Sequence, residues 1–334
     1  MARSGEFDLI KKLTSSILIT DKNVVVGVGD DCTVIRQSGG RYLLATVDVQ
    51  VDGVHFLSGK TPPDCIGQKA VAVAVSDIAA MGGIPTHCLV SLFLPKAIPN
   101  TFVEKVYAGI RQASQTYAIS IVGGNITRAR QFAIDMCLLG EVEPKNILLR
   151  STARVGDKVL VTGSLGDAAA GLHLLQHPRK AVGKIVQDFL IARQTSPTPR
   201  VSESTAISRV RRATAMIDIS DGLVQDILHI TKLSRVGVTL YEKKLPLSPE
   251  IEAFCKITNK NPLGLALTGG EDYELLFTVP PSHADSLKNR VEKETGTTVH
   301  EIGEITKEER GNWLIRRDGR KRRLHPSGWD HLRV

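Results

Sequence analysis

Cys65-Ile66-Gly67-Gln68-Lys69-Ala70-Val71-Ala72-Val73-Ala74-Val75-Ser76-Asp77-Ile78-Ala79-Ala80-Met81 is the most apolar helix candidate in the chain. Its Ala and Val content alone fits a strand, but its length favours a buried helix. On that reading the flanking segments alternate. Phe7–Leu18 has helical spacing, and Val24–Val28 and Tyr42–Val49 read as strands. His87–Leu94 is a strand, Thr101–Tyr117 an amphipathic helix, Ile119–Val122 a short strand and Phe132–Val142 another strand. Beyond Arg150 the pattern repeats. Strands are expected at Lys158–Thr162, Met216–Ile219, Val236–Tyr241, Tyr273–Val279 and Val299–Ile305. Helices are expected from Asp167 to Gln176 and over Lys184–Arg193, Leu223–Ser234 and Ala284–Glu294. The fold class is α/β (α+β) in two domains, residues 1–148 and 149–334, the second ending in a basic tail at 311–334.

Composition removes several classes. The 334 residues are 42% hydrophobic and 23% charged, enough for two cores and too apolar for overall disorder. The net charge is +8, which raises the question of an acidic macromolecular partner. Its distribution answers otherwise. Residues 311–334 hold seven basic and two acidic residues, so +5 lies in the tail and +3 in all the rest. The excess centres on Arg316, Arg317, Arg320, Lys321, Arg322 and Arg323, and it reads as a solvated charged hairpin. A sharper alternative is that it draws anionic substrates towards a cleft. Aromatic residues are only 4%, poor for base stacking, so nucleic acid is not expected as a partner. Ile78–Pro95 carries no formal charge, but Gly82, Gly83, Pro85 and His87 interrupt it, so no membrane span is expected. Glu6 and Asp8 stand where a signal peptide needs apolar residues. Five scattered cysteines without Cys-x-x-Cys spacing suit a reducing cytoplasm.

The informative residues are carboxylates at strand ends. Gly29-Asp30-Asp31 follows a Val-rich strand, and Thr46-Val47-Asp48 lies in the next. Asp77 interrupts the apolar helix. Ile217-Asp218-Ile219-Ser220-Asp221-Gly222 forms a strand-to-helix turn. Turn chemistry accounts for Asp30 and Asp31 taken singly, and N-capping for Ser220 or Asp221. Asp48 and Asp77 resist that account, because an unpaired charge among Ala and Val costs several kcal/mol. Oxygen ligands without His or Cys companions point to a hard cation, and to Mg²⁺ where phosphates complete the shell. Two Gly-rich loops are candidates for phosphate approach, Gly123-Gly124-Asn125-Ile126-Thr127-Arg128 and Gly163-Ser164-Leu165-Gly166-Asp167. Ordinary tight turns are the competing reading, and neither loop is a Walker motif.

Gly5-Glu6-Phe7, Gly27–Cys32, Asp52-Gly53-Val54-His55-Phe56, Ser76–Gly82 and Gly123–Arg128 occur in that order. Arg150-Ser151, Val161-Thr162-Gly163, Ile217–Gly222 and Gly269-Gly270-Glu271-Asp272-Tyr273-Glu274-Leu275 follow. Together these motifs resemble the thiamine-monophosphate kinase family, within the superfamily of aminoimidazole ribonucleotide synthetase. The resemblance runs from residue 5 to about residue 331. It implies an enzyme that uses ATP and several Mg²⁺ to phosphorylate thiamine phosphate to thiamine diphosphate, the last step of that biosynthesis. It also implies a homodimer whose N-terminal sheets pair into a barrel, with the site between the domains. Carried over by position, Asp31, Asp48, Asp77, Asp218 and Asp221 hold Mg²⁺, joined by Thr46. Gly124, Asn125, Arg150 and Ser220 contact the nucleotide; His55, Glu271 and Trp329 contact thiamine phosphate. Asp218, Arg150 and Asp48 are the residues on which catalysis would depend. Asn125 stands where many relatives have Asp; its amide oxygen still suits a metal or phosphate, with one charge less. Val47 stands where Thr is common, so a hydroxyl role is lost there.

The chemistry is self-consistent. Phosphoryl transfer needs positioning and charge neutralisation, and a phosphate oxygen acceptor needs no general base. Five Asp, ATP and thiamine phosphate together call for on the order of three to five Mg²⁺. Arg150 suits charge on the polyphosphate. Trp329 suits a cationic ring, although a packing anchor is its plain alternative. Sister enzymes fit less well. A selenophosphate synthetase needs a reactive Cys near the N-terminus, and the first here is Cys32. A hydrogenase-maturation protein ends in Cys, whereas this chain ends His331-Leu332-Arg333-Val334. An aminoimidazole ribonucleotide synthetase lacks the His55-Phe56 context and the Gly269–Leu275 run. A non-catalytic nucleotide-binding regulator would have lost its acidic ligands.

Overall fold

The computed structural model describes residues 5–179 and 181–332; the outermost residues of the two expected domains, 1–4 and 333–334, lie outside that range. The first half opens with helix α1 (Glu6–Thr14). Six strands then form one sheet: β1 (Val24–Val26), β2 (Thr33–Arg36), β3 (Tyr42–Val51), β4 (Ile84–Leu94), β5 (Ser120–Arg128) and β6 (Ala133–Val142). Their order is β1-β2-β3-β6-β4-β5, with only β4 and β5 parallel. Helices α2 (Pro63–Ala80) and α3 (Asn100–Thr116) connect β3 to β4 and β4 to β5.

The apolar run is a helix, as its length predicts. Pro63 suits the first turn of α2, where its missing N–H is not needed. Gly67 on α2 meets Gly109 on α3, and a Cβ at either would overlap the carbonyl oxygen of Val106 or Asp64. This close crossing seats both helices. α2 also touches β3, β4 and β6 on one side and β8 and α6 of the second half on the other. A helix with neighbours on both sides must be apolar nearly all round, and that is the composition of residues 65–81.

The second half builds a seven-stranded sheet from β7 (Lys158–Thr162), β8 (Ala215–Asp218), β9 (Val236–Tyr241), β10 (Leu275–Val279), β11 (Val299–Lys307), β12 (Asn312–Ile315) and β13 (Lys321–Arg323). The order is β13-β12-β9-β11-β7-β10-β8. Its helices are α4 (Asp167–Gln176), α5 (Lys184–Thr195), α6 (Val201–Val210), α7 (Leu223–Ser234), α8 (Pro249–Thr258), α9 (Pro262–Thr268) and α10 (Pro281–Thr295). Short elements β2, α6, α8 and α9 go beyond the expected set. Two other expectations change. Gly123–Arg128 is no loop but the body of β5, paired in parallel with β4. The basic tail folds as the β12–β13 hairpin, on the sheet edge opposite β8.

Candidate active site

Asp77 lies in the last turn of α2, Asp218 ends β8, and Asp31 follows the turn after β1. One carboxylate oxygen from each lies within 4.8 Å of the others. Short partners fix the group. Ser76 Oγ donates to Asp218 Oδ2 at 2.6 Å, linking the two halves of the chain. Thr46 Oγ1 donates to Asp77 Oδ2 at 2.5 Å. The Arg150 guanidinium grips Asp31 through Nε and Nη2, and its backbone N–H donates to Asp30 Oδ2 at 3.1 Å. Asp48 faces the same group from β3 and hydrogen-bonds to Asp77. Asp48 Oδ2 and Asp218 Oδ1 are buried and have no hydrogen-bond partner. A buried oxygen left so costs about 1–3 kcal/mol, more when charged. A hard cation satisfies these oxygens, so the donor set fits Mg²⁺.

Burial dominates the electrostatics. It lifts Asp218 to about 8 and Asp48 to about 6, with the neighbouring carboxylates adding to the rise. Asp30 rises to about 7 through burial and the charge of Asp31. Asp77 is pushed well above the carboxylate range by burial and by Asp48, Asp218 and Asp31. The folded chain therefore holds protons that the unfolded chain has released, and folding stability falls as pH rises through these values. In a chelator, the Tm is expected to drop between about pH 4 and about pH 8, and Asp218→Asn to flatten that drop. Thermal unfolding across pH measures both; an identical slope in the variant counts against this account.

A cavity of about 580 Å³ adjoins the acids. Asp48, Ser220 and Asp221 line it, together with His55, Glu271 and Trp329. α1 supplies an apolar wall through Leu9, Ile10 and Leu13. His55 is neutral near pH 7, because burial lowers it to about 4, and its Nδ1 accepts the Val51 N–H at 3.0 Å. The Trp329 backbone N–H donates to the Asp221 carbonyl at 3.1 Å, and the His331 ring lies between those of Trp329 (edge-on) and His55 (tilted), with centroids at 5.7 and 5.1 Å. Glu6 joins the two ends of the chain: its N–H donates to Asp330 Oδ1, and its Oε2 accepts the His331 N–H. Glu271 sits at φ +67°, with its N–H donating to the Ser220 carbonyl at 2.7 Å.

Residues 29–142 match the family described as AIR synthase related protein, N-terminal domain, and residues 154–315 match its C-terminal domain. The chain is 38% identical to the thiamine-monophosphate kinase of Aquifex aeolicus (strain VF5), over 98% of each chain. The chain belongs to the thiamine-monophosphate kinase family. It is 35% identical to the family member of Buchnera aphidicola subsp. Schizaphis graminum (strain Sg), over 98% of this chain and 99% of that one. The structure of AaThiL complexed with AMPPCP and TMP superposes with a TM-score of 0.83 at 37% identity, covering 99% of both chains. The two-domain architecture implied by the resemblance is thus the one observed.

Other residues expected to serve a kinase of this family lie elsewhere in the chain. Asn125 is on β5, in one row with Ser91, Asp135 and Val49. That row faces away from α2, and three strand spacings, about 14 Å, separate Asn125 from Val49. Gly124 lines a second cavity, of about 820 Å³, with Tyr107 and Arg111 of α3. A Cβ at Gly124 would overlap the Val90 carbonyl, so strand contact explains this glycine. The Gly163–Asp167 turn does cap α4, but the acceptor there is internal: the Asp272 carboxyl accepts the Gly166 N–H at 2.7 Å and the Ala168 N–H at 3.4 Å. Neither Ser220 nor Asp221 caps α7; the carboxylate of Asp226 accepts the Gly222 N–H instead. Asp221 has a second set of neighbours, Asp226 and His229, with ligand atoms within 4.8 Å of one another. Lys69, Gln194, Tyr273 and His331 join the site without a role expected from the sequence. Lys69 alone carried a signal, as a cation inside an apolar helix.

Proposed function

We propose that the chain transfers the terminal phosphoryl group of ATP to thiamine phosphate. The P–O bond to ADP breaks, and a new one forms to a phosphate oxygen of thiamine phosphate, giving thiamine diphosphate. One observation carries the reading: the Asp31–Asp77–Asp218 group and the 580 Å³ cavity share a border at Asp48. Asp31, Asp48, Asp77, Asp218 and Asp221, with Thr46, are the proposed holders of several Mg²⁺. When bound, Mg²⁺ would neutralise the carboxylates and polyphosphate that must meet there. The remaining work belongs to the chain. Arg150, already anchored on Asp31, orients the polyphosphate together with Ser220. His55, Glu271 and Trp329 hold the organic end of thiamine phosphate, and the apolar wall from α1 excludes water. No side chain needs to take a proton from the acceptor, whose phosphate is anionic near neutral pH.

In this reading residues 1–148 form the nucleotide-, Mg²⁺-binding and dimerising domain, and 149–334 the second. A homodimer is supported by the outward face of the first sheet, where Val47, Val49 and Leu89 are 62%, 44% and 42% exposed. A cytoplasmic location suits the five free cysteines, and among the described residues no helix is long and apolar enough to cross a membrane. With ATP, Mg²⁺ and thiamine phosphate the purified protein is expected to form thiamine diphosphate, and a chelator is expected to stop it. Folded protein that makes no diphosphate sinks the reading.

A further inference from the structure

Lys69 is buried almost completely, at 2% exposure. It lies two turns before Asp77 on α2, among Ala and Val. Burying an ammonium costs several kcal/mol unless partners surround it. Two partners are present, both from distant parts of the chain. Lys69 Nζ is 2.5 Å from Glu271 Oε1 and donates to the His55 carbonyl at 2.8 Å. The other Glu271 oxygen, Oε2, accepts from Gln194 Nε2 on α5 at 2.5 Å. The ammonium therefore ties α2 to the two loops that carry His55 and Glu271. It does so from behind, because Lys69 does not line the 580 Å³ cavity that both residues border.

The backbone of one loop needs such a tie. Glu271 and Tyr273 are held at φ +67° and +50°, a region costly for residues other than glycine. The N–H groups of both residues donate to carbonyls of the Ile219-Ser220 turn, at 2.7 and 2.8 Å. Those bonds fix the main chain but leave the Glu271 side chain free to rotate. Lys69 and Gln194 together restrict it, one on each carboxylate oxygen. The charge at the cavity also changes. Glu271 is not a bare anion awaiting a cationic ring; its charge is matched from inside the helix, and what it offers a ligand is a fixed acceptor.

We propose that Lys69 is a positioning residue for the organic substrate. It sets affinity for thiamine phosphate by holding Glu271 and the His55 loop in place, without touching the substrate. The inference rests on the functional reading above. A positioning role through Glu271 alters binding alike in ground and transition states, so it appears in KM and not in kcat.

The test is a double-mutant cycle on the full chain with Lys69→Met and Glu271→Gln. Lys69→Met is expected to raise the KM for thiamine phosphate at least about tenfold, with kcat and the KM for ATP changed less than about threefold. The double variant is expected to be no worse than Glu271→Gln alone, because the two residues act as one unit. If Lys69→Met does not fold, Lys69→Gln retains a donor for the His55 carbonyl and completes the same cycle. Independent, multiplying effects of the two substitutions overturn the proposal. So does an equal rise in both KM values, which marks simple loss of packing. Absence of turnover by the unsubstituted protein is a different result and removes the functional reading as well.

Discussion

Asp218→Asn is expected to lower kcat by about a thousandfold or more, about 4 kcal/mol in barrier height, while leaving the fold intact. The asymmetry follows from the site. Asp218 is 1% exposed, and its Oδ2 accepts from Ser76; an asparagine oxygen accepts the same bond. Burial lifts Asp218 to about 8, so the fold gains nothing from its charge at neutral pH in the absence of metal. The variant should therefore melt no lower than the parent in a chelator, yet lose the stabilisation that Mg²⁺ confers on the parent. Steady-state kinetics and thermal unfolding with and without Mg²⁺ decide the matter. An active variant would show that the metal ligands lie elsewhere.

Arg150→Met is expected to affect both rate and stability. Its guanidinium is bidentate on Asp31, and the Arg150 side chain is 18% exposed. Removing one member of such a pair costs about 3 kcal/mol, since a carboxylate is left buried without a cation. Asp30 keeps the N–H of residue 150 but loses the nearby charge, 3.9 Å away. Mg²⁺ should restore much of the stability by supplying positive charge to the same oxygens. It should not restore the rate, which is expected to fall about a hundredfold to a thousandfold, as when one preorganised charge-stabilising donor is lost. Arg150→Lys keeps the charge without the fork and should fall between. A variant whose rate recovers together with its stability would confine Arg150 to a structural role.

Much of this site was legible from residue chemistry alone. Asp77 stood out because a carboxylate inside an apolar helix demands a partner, and its partners prove to be Thr46 and the acids around it. The same logic applied to Lys69 but lost its force, because a lysine stem normally carries its charge out to water. Here the ammonium is met by Glu271, some two hundred residues away, and no local pattern signals such a contact. The glycines carry an ambiguity of a related kind. Gly124 and Gly166 stand where a phosphate loop would place them, but one admits a neighbouring strand and the other the Leu265–Ala266 backbone of α9. Close approach of backbone and close approach of phosphate leave the same mark in a sequence. The six basic residues of the tail at 316–323 are all exposed on the β12–β13 hairpin. It lies on the sheet edge away from Asp218, with Arg316 and Arg317 turned towards Glu242.

The position of α2 between the two sheets fixes a length. Lys69 and Asp77 are eight residues apart on it, about 12 Å along the axis of a regular helix. One residue anchors the region that holds the organic group, and the other belongs to the acids that would hold the phosphates. The helix is thus a ruler with a reading end in each compartment. Hinging of one sheet against the other leaves that interval unchanged, because both marks lie on one rigid rod. A substrate is then measured by the span between its ring and its phosphate as much as by the identity of either.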